Sequence, residues 1–157
     1  MADDLGYFTS DNGVERFSDN GIYKGRKMSL WEGGIREPAF IRWTGKIIDN
    51  TVTNQVATTM DWTATILSLA GGKADPKFPL EGIDIMPILL GEKKEMNRTL
   101  YWRIFQRNQH KAMRDGKWKY FQDEKENEYL FDLLNDPREL NNLKDQQQAV
   151  SKNLKMK

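Results

Sequence analysis

Asp115-Gly116 stands between two short runs, Lys111 to Arg114 and Lys117 to Phe121. An Asp-Gly pair between strand-like runs is the strongest short-range hairpin signal a sequence carries, because its glycine accepts positive φ without a Cβ clash. The C-terminal part of the chain is therefore predicted to be antiparallel β, with a turn on Asp115-Gly116. Thr99 to Phe105 is rich in aromatic residues, and Glu128 to Leu133 reads as a further strand, followed by a turn at Asn135-Asp136-Pro137. From Asp145 to Lys157 the apolar points are Ala149, Val150, Leu154 and Met156. That pattern predicts a weak terminal helix that frays.

Upstream the pattern differs. The first fifty residues hold seven glycines and read as loop-rich, with turns at Asn12-Gly13 and Asn20-Gly21. Ala39-Phe40-Ile41-Arg42-Trp43, bounded by Pro38 and Thr44-Gly45, reads as a buried strand. Trp62, Ile66, Leu69 and Ala70 fall on one face of a helix. Asp61 is the expected N-cap of that helix, and Gly71-Gly72 its stop. Ile85 to Leu90 predicts a short helix with Pro87 in its first turn and Gly91 beyond its end.

Composition removes several classes of function. The chain has 157 residues, no cysteine and one histidine, so disulfides, thiolate metal sites and cysteine nucleophiles are excluded. With 24 basic against 23 acidic residues, the net charge of +1 argues against nucleic acid or an anionic membrane as partner. No apolar run approaches the roughly 20 residues that span a bilayer. Met1-Ala2-Asp3-Asp4 has no basic or apolar leader pattern, so no signal peptide is expected in this chain.

Three clusters can carry chemistry. Asp3-Asp4 and Asp11-Asn12 are hard oxygen donors of the kind calcium prefers, although Asp-Asn-Gly is also an ordinary turn. Lys24-Gly25-Arg26-Lys27 runs into Trp31-Glu32-Gly33-Gly34-Ile35-Arg36. Cations beside flexible glycines can meet an anion, although runs this short usually form a solvated basic loop. His110 could serve as an acid or base, but the sequence places no carboxylate or nucleophile beside it, which favours an ordinary strand residue.

Together these residues resemble the sulfatase family. Phe8-Thr9-Ser10-Asp11-Asn12-Gly13 is similar to the strand end that supplies Asp and Asn to the sulfatase calcium. Gly25 to Pro38 is similar to the family's Gly-x-Lys … Trp-Glu-Gly-Gly-x-Arg-x-Pro segment. The likeness continues through Arg42 to Ile47, Met60-Asp61-Trp62 to Gly71, Leu80 to Asp84, Arg98 to Arg103, Ala112 to Lys119, Leu130 to Leu133, and Asp136-Pro137-Arg138-Glu139 with Asn142-Leu143. It is a likeness to the C-terminal part of such an enzyme. The resemblance implies an α/β fold: a partial alkaline-phosphatase-like domain keeping a remnant of a mixed sheet with helices, over residues 1–95. A small C-terminal α+β subdomain with an antiparallel sheet and terminal helix would follow, over 96–157, with Trp102 and Trp118 in its core.

The resemblance also implies site roles. Lys27 corresponds to the catalytic, sulfate-binding lysine, with Lys24 and Arg26 beside it as substrate contacts. Asp3, Asp4, Asp11 and Asn12 correspond to calcium ligands. Glu32 and Arg36 would hold the loop after Lys27. Arg26 and Met28 stand where small residues are common. The family's formylglycine nucleophile comes from Cys or Ser in Cys/Ser-x-Pro-x-Arg, and none of the five prolines here sits in that pattern, so formylglycine is not possible in this chain.

Ala2-Asp3-Asp4-Leu5-Gly6-Tyr7 is similar to the Asp-Asp-x-Gly segment ending the family's first strand, here abutting the Asp-Asn pair. The chain thus reads like a sulfatase lacking its middle, too short at this junction to rebuild both strands, although a turn around Gly6-Tyr7 could bring the carboxylates together. The Phe40-to-Trp43 strand would then lose neighbours and expose a sheet edge. The implied parent activity is calcium-dependent sulfate ester hydrolysis, with a sulfate ester or sulfated carbohydrate as partner and the chain alone inactive. The alternatives are a non-catalytic sulfated-glycan-binding module, or a structural fragment that self-associates or completes a complementary sulfatase half. Family members are commonly periplasmic, secreted or lysosomal, and the compartment stays open.

Overall fold

A computed structural model describes residues 5–15, 17–106 and 109–156. Asp3 and Asp4, two of the four expected calcium ligands, lie outside the described residues. The chain forms two compact units, Met1–Thr9 with Ala39–Asn97, and Ser10–Pro38 with Arg98–Lys157. The second unit draws Ser10–Pro38 out of the 1–95 stretch assigned above to the catalytic-domain remnant.

In the first unit, β1 (Leu5–Thr9) pairs antiparallel with β2 (Ala39–Trp43), Tyr7 opposite Ile41 and Phe8 opposite Phe40. Gly6-Tyr7 is therefore extended strand and not the turn considered above. β2 is a strand as expected, but it is not buried: Phe40 is 65% and Phe8 64% exposed, because the described strands form a sheet of only two. The Tyr7 ring stacks on Trp62 at 5.0 Å, joining β1 to α2 (Thr59–Leu69).

The N-cap of α2 is Thr58 and not Asp61. Asp61 occupies the third helical position of a capping box, where its Oδ2 accepts the Thr58 N–H at 2.6 Å. Its Oδ1 accepts the Ile83 N–H at 2.9 Å, and Thr65 Oγ1 accepts the Ile85 N–H at 3.0 Å. These bonds turn the buried face of α2 toward Asp61, Trp62 and Thr65 and leave Ile66 exposed, against the face expected from periodicity. The Gly71-Gly72 stop forms as expected, with Gly72 N–H donating to Leu67 O and Gly71 N–H to Ser68 O. α3 (Met86–Leu89) carries Pro87 in its first turn.

The second unit is built on a four-stranded antiparallel sheet in the order β3 (Thr99–Arg103), β4 (Lys111–Asp115), β5 (Trp118–Gln122), β6 (Glu128–Asp132). The β4–β5 hairpin forms, one residue later than expected. Asp115 pairs with Trp118, so the turn is Gly116-Lys117. Only Gly116 of that pair has positive φ, at 58°, the pattern of a turn with glycine at its first central position.

Alternation along the strands divides the sheet into two cores. Ala112, Phe121 and Phe131 face one way and pack with Leu30 and Leu133, with Trp31, Trp102 and Tyr129 alongside. Met113, Tyr120 and Leu130 face the other way and pack with Leu154, with Trp118 and Val150 alongside. Leu154 and Val150 belong to α4 (Gln148–Met156), so the terminal helix docks where fraying was expected. Val150 and Leu154 suffice because, four residues apart, they share one face, and Lys155 is bonded to Glu128 beside them. The outer edge of β6 is covered by Asn142 and Leu143, which pair with the Leu130 backbone.

Candidate anion-binding site

The second unit gathers the loop residues singled out above. Asp11 and Asn12 follow the end of β1 in the chain, and Ser10 Oγ donates to Asn12 O at 3.0 Å. Gly13 N–H donates to Gly34 O at 3.0 Å, and Lys27 N–H donates to Val14 O at 3.0 Å. The Asp11-to-Val14 segment is thereby laced to the Lys24-to-Gly34 loop at two points. The approach is close enough to require glycine: a Cβ on Gly13 would overlap the Gly33 carbonyl, and one on Gly33 would overlap Asn20 and the Lys24 carbonyl.

Lys27 is half-exposed, with Nζ 3.9 Å from Glu15 Oε1. Met28 beside it holds φ at 69°, the left-handed region that favours a small residue. Lys24 Nζ sits over the Trp31 ring at 3.6 Å, so it is engaged in a cation–π contact. Arg26 closes the loop through its backbone: its carbonyl accepts from Ser29 Oγ at 2.7 Å and from Ser29 N at 3.0 Å.

The far end of this loop is α1 (Glu32–Ile35), and here the structure holds what sequence reading missed. Lys119 Nζ lies 2.8 Å from Glu32 Oε1 and 2.8 Å from Glu139 Oε1, with all three side chains buried. The second oxygen of Glu139 accepts the Glu32 backbone N–H at 2.7 Å. Burial pushes the Glu139 carboxyl above the usual glutamate range, and Lys119 pulls it back. Arg36 Nη1 adds charge 3.7 Å from Glu32 Oε2, which supports the expectation that Glu32 and Arg36 hold the loop. The Arg-Asp-Gly-Lys-Trp-Lys and Asp-Pro-Arg-Glu segments contain Lys119 and Glu139, but nothing in their spacing signals a buried meeting.

His110 departs from expectation. It is buried, its Nδ1 accepts the Leu30 N–H at 3.3 Å, and Nε2 lies 3.0 Å from Glu124 Oε2. A carboxylate does stand beside it, brought by the β5–β6 loop. Both ring nitrogens are occupied by these partners.

Calcium is the ion to which the resemblance assigns this donor set. The Asp11 carboxylate and the Asn12 amide oxygen are of the right type, but the ion takes six to eight oxygens. Among the described residues there is no group of three acidic or histidine side chains that could hold a metal. Glu37 lies near enough to Asp11 to feel it: burial first, then the Asp11 charge, raises the Glu37 carboxyl above its ordinary range. The described residues do not by themselves make up a calcium site.

Residues 19–157 match the family described as N-sulphoglucosamine sulphohydrolase, C-terminal. The chain belongs to the sulfatase family. It corresponds to the C-terminal part of a sulfatase and is 35% identical over 127 residues to arylsulfatase A of Bos taurus, covering 76% of this chain and 25% of that protein. Among solved structures, Ps i-CgsB in complex with k-i-k-neocarrahexaose superposes with a TM-score of 0.87 at 24% identity, over 96% of this chain and 34% of that one. BT4656, solved with its substrate D-glucosamine-2-N,6-O-disulfate, superposes with a TM-score of 0.75 at 20% identity, over 97% of this chain and 32% of that one. The sulfatase chain described here thus spans about a quarter to a third of these relatives. Its α/β fold, with antiparallel sheets and a C-terminal helix, is the sulfatase fold over that span.

Proposed function

We propose that this chain is the anion-contacting C-terminal part of a sulfuric ester hydrolase acting on a sulfate ester, with a sulfated carbohydrate as the favoured class. The observation that carries this reading is the lacing of the Lys24-to-Gly34 loop to the Asp11-to-Val14 segment, which holds Lys27 on a built scaffold. Lys27 would supply charge to the sulfate oxygens, with Arg26 and Lys24 beside it. The carbohydrate class is supported by the sugars named for Ps i-CgsB and BT4656. In evolutionary terms, 1–95 is read as the remnant of the catalytic domain and 96–157 as the C-terminal subdomain.

Asp3, Asp4, Asp11 and Asn12 are the residues this reading assigns to calcium in the parent enzyme. With two donors in the described residues, the chain as it stands should bind calcium weakly or not at all; micromolar affinity by calorimetry would overturn that. The sequence encodes no formylglycine motif, so the attacking group is missing and no turnover is expected. The test uses purified chain with 4-methylumbelliferyl sulfate and with a sulfated glycan. Binding of the glycan that Lys27→Ala weakens, without hydrolysis, is the expected result. Turnover abolished by Lys27→Ala would overturn the inactivity, and glycan binding indifferent to Lys27→Ala would overturn the site.

A second reading is favoured by the exposed Phe8 and Phe40 on the two-stranded sheet. There the chain completes a complementary sulfatase half, or a second copy of itself, through the β1–β2 sheet. Activity restored on mixing with an N-terminal half would establish it.

A further inference from the structure

We propose that Glu139 is a positioning residue for the anion-contact loop, acting through Lys119 and the Glu32 backbone; this rests on the reading of Lys27 as the sulfate contact.

The Lys24-to-Ile35 loop carries three glycines, Gly25, Gly33 and Gly34, whose backbones lose most freedom on ordering. A cation displayed on such a segment contributes to recognition only if both of its ends are held. One end is held by Lys27 N–H on Val14. The other is held by Glu32, and what fixes Glu32 comes from the β5 strand and the turn after Pro137.

Glu139 serves two partners at once. One carboxylate oxygen faces Lys119 and the other takes the Glu32 N–H. Its own backbone is set for this, with φ at 56° and its N–H bonded to Asp136 O at 3.2 Å. Asp136 Oδ2 in turn accepts from Leu140 and Asn141 N–H at 2.8 and 2.7 Å, so the turn is organised around an inward-pointing Glu139. A core needing only to fill space would take an apolar residue here at lower desolvation cost. The carboxylate is explained by the backbone N–H it receives from the loop.

The experiment is amide hydrogen exchange by NMR on the full chain, for wild type, Glu139→Ala and Glu139→Gln, with glucosamine 6-sulfate then titrated into each. Glutamine keeps an acceptor for the Glu32 N–H; alanine does not. The expected result is about a tenfold or greater loss of protection at Glu32, Gly33 and Gly34 in Glu139→Ala beyond any loss shared by the Tyr120 and Leu130 amides, with glutamine restoring most of it. Glucosamine 6-sulfate should then shift the Lys27 amide in wild type and Glu139→Gln but not in Glu139→Ala. If the loop loses protection as expected while wild type gives no sulfate response, positioning stands and the Lys27 reading falls. Equal protection in the alanine and glutamine variants, or equal loss in the sheet amides, would overturn the proposal.

Discussion

Lys119 Nζ and Glu32 Oε1 are 2.8 Å apart although 87 residues separate them in the chain. They join the start of β5 to the first turn of α1, beside the apolar core of Leu30, Ala112, Phe121, Phe131 and Leu133. Burying three charged side chains is costly, and their mutual geometry offsets that cost only while all partners remain. Lys119→Met leaves two carboxylates buried without their lysine. It should cost about 3–5 kcal/mol of unfolding free energy in urea melts. A loss below about 1 kcal/mol would mean that the cluster is hydrated in solution.

The raised Glu139 carboxyl sets a sign for pH dependence. A folded-state pKa above the unfolded value means that the folded protein holds this proton more tightly. Below the ordinary glutamate value the charged-form penalty is absent; it grows as pH rises toward the folded value. The stability of Glu139→Gln relative to wild type should therefore improve as pH increases from about 4 to 7. Paired denaturant melts across that range check it, and a difference moving the opposite way would refute it.

Leu154 is 4% exposed and packs with Met113, Tyr120 and Leu130. Nine residues are too few for an isolated helix to hold in water, so α4 depends on this contact. Leu154→Ala should cost about 2–4 kcal/mol and lower the helical signal in circular dichroism at 25 °C. Unchanged helicity together with unchanged stability would show that α4 stands without its docking face.

Gly33 is the tightest point of the Lys24-to-Gly34 loop. Gly33→Ala would drive a Cβ into Asn20 and into two backbone carbonyls, of Lys24 and Gly25. Backbone yields less easily than the end of a side chain, so the cost should be about 1–3 kcal/mol. Amide shifts should change around Asn20 to Gly25 and leave α4 untouched; a spectrum unaltered in that stretch would contradict the close approach.

The exposed Phe8–Phe40 pair predicts association. A two-stranded sheet is marginal in water and both of these rings face solvent. Sedimentation velocity should reveal concentration-dependent association that Phe8→Ser with Phe40→Ser reduces. A monomer at every concentration would remove the sheet face as a contact.

Local chemistry made much of the fold legible. Asp-Gly between strand-like runs announced the β4–β5 hairpin, and Gly71-Gly72 announced the end of α2, because both features rest on backbone dihedrals of a few adjacent residues. The same locality explains the errors. The turn slipped from Asp115-Gly116 to Gly116-Lys117 because pairing across the sheet, and not the dipeptide, chose the register. Asp61 moved from N-cap to capping box because Thr58 and Ile83 claimed its two oxygens. Of the candidate site, Asp11, Asn12, Lys24, Arg26 and Lys27 were visible as residue types in a pattern.

The amino-acid sequence by itself determined the family, the hairpin, the helix stop and the absence of a cysteine or Ser-x-Pro-x-Arg nucleophile, since each is a property of neighbouring residues. Only the tertiary structure decided that Lys119, one of several lysines in a charged chain, is the one buried among the described residues. Burial and pairing depend on which distant segments share a core, and Glu32 and Glu139 meet Lys119 because the sheet brings three parts of the chain to one point.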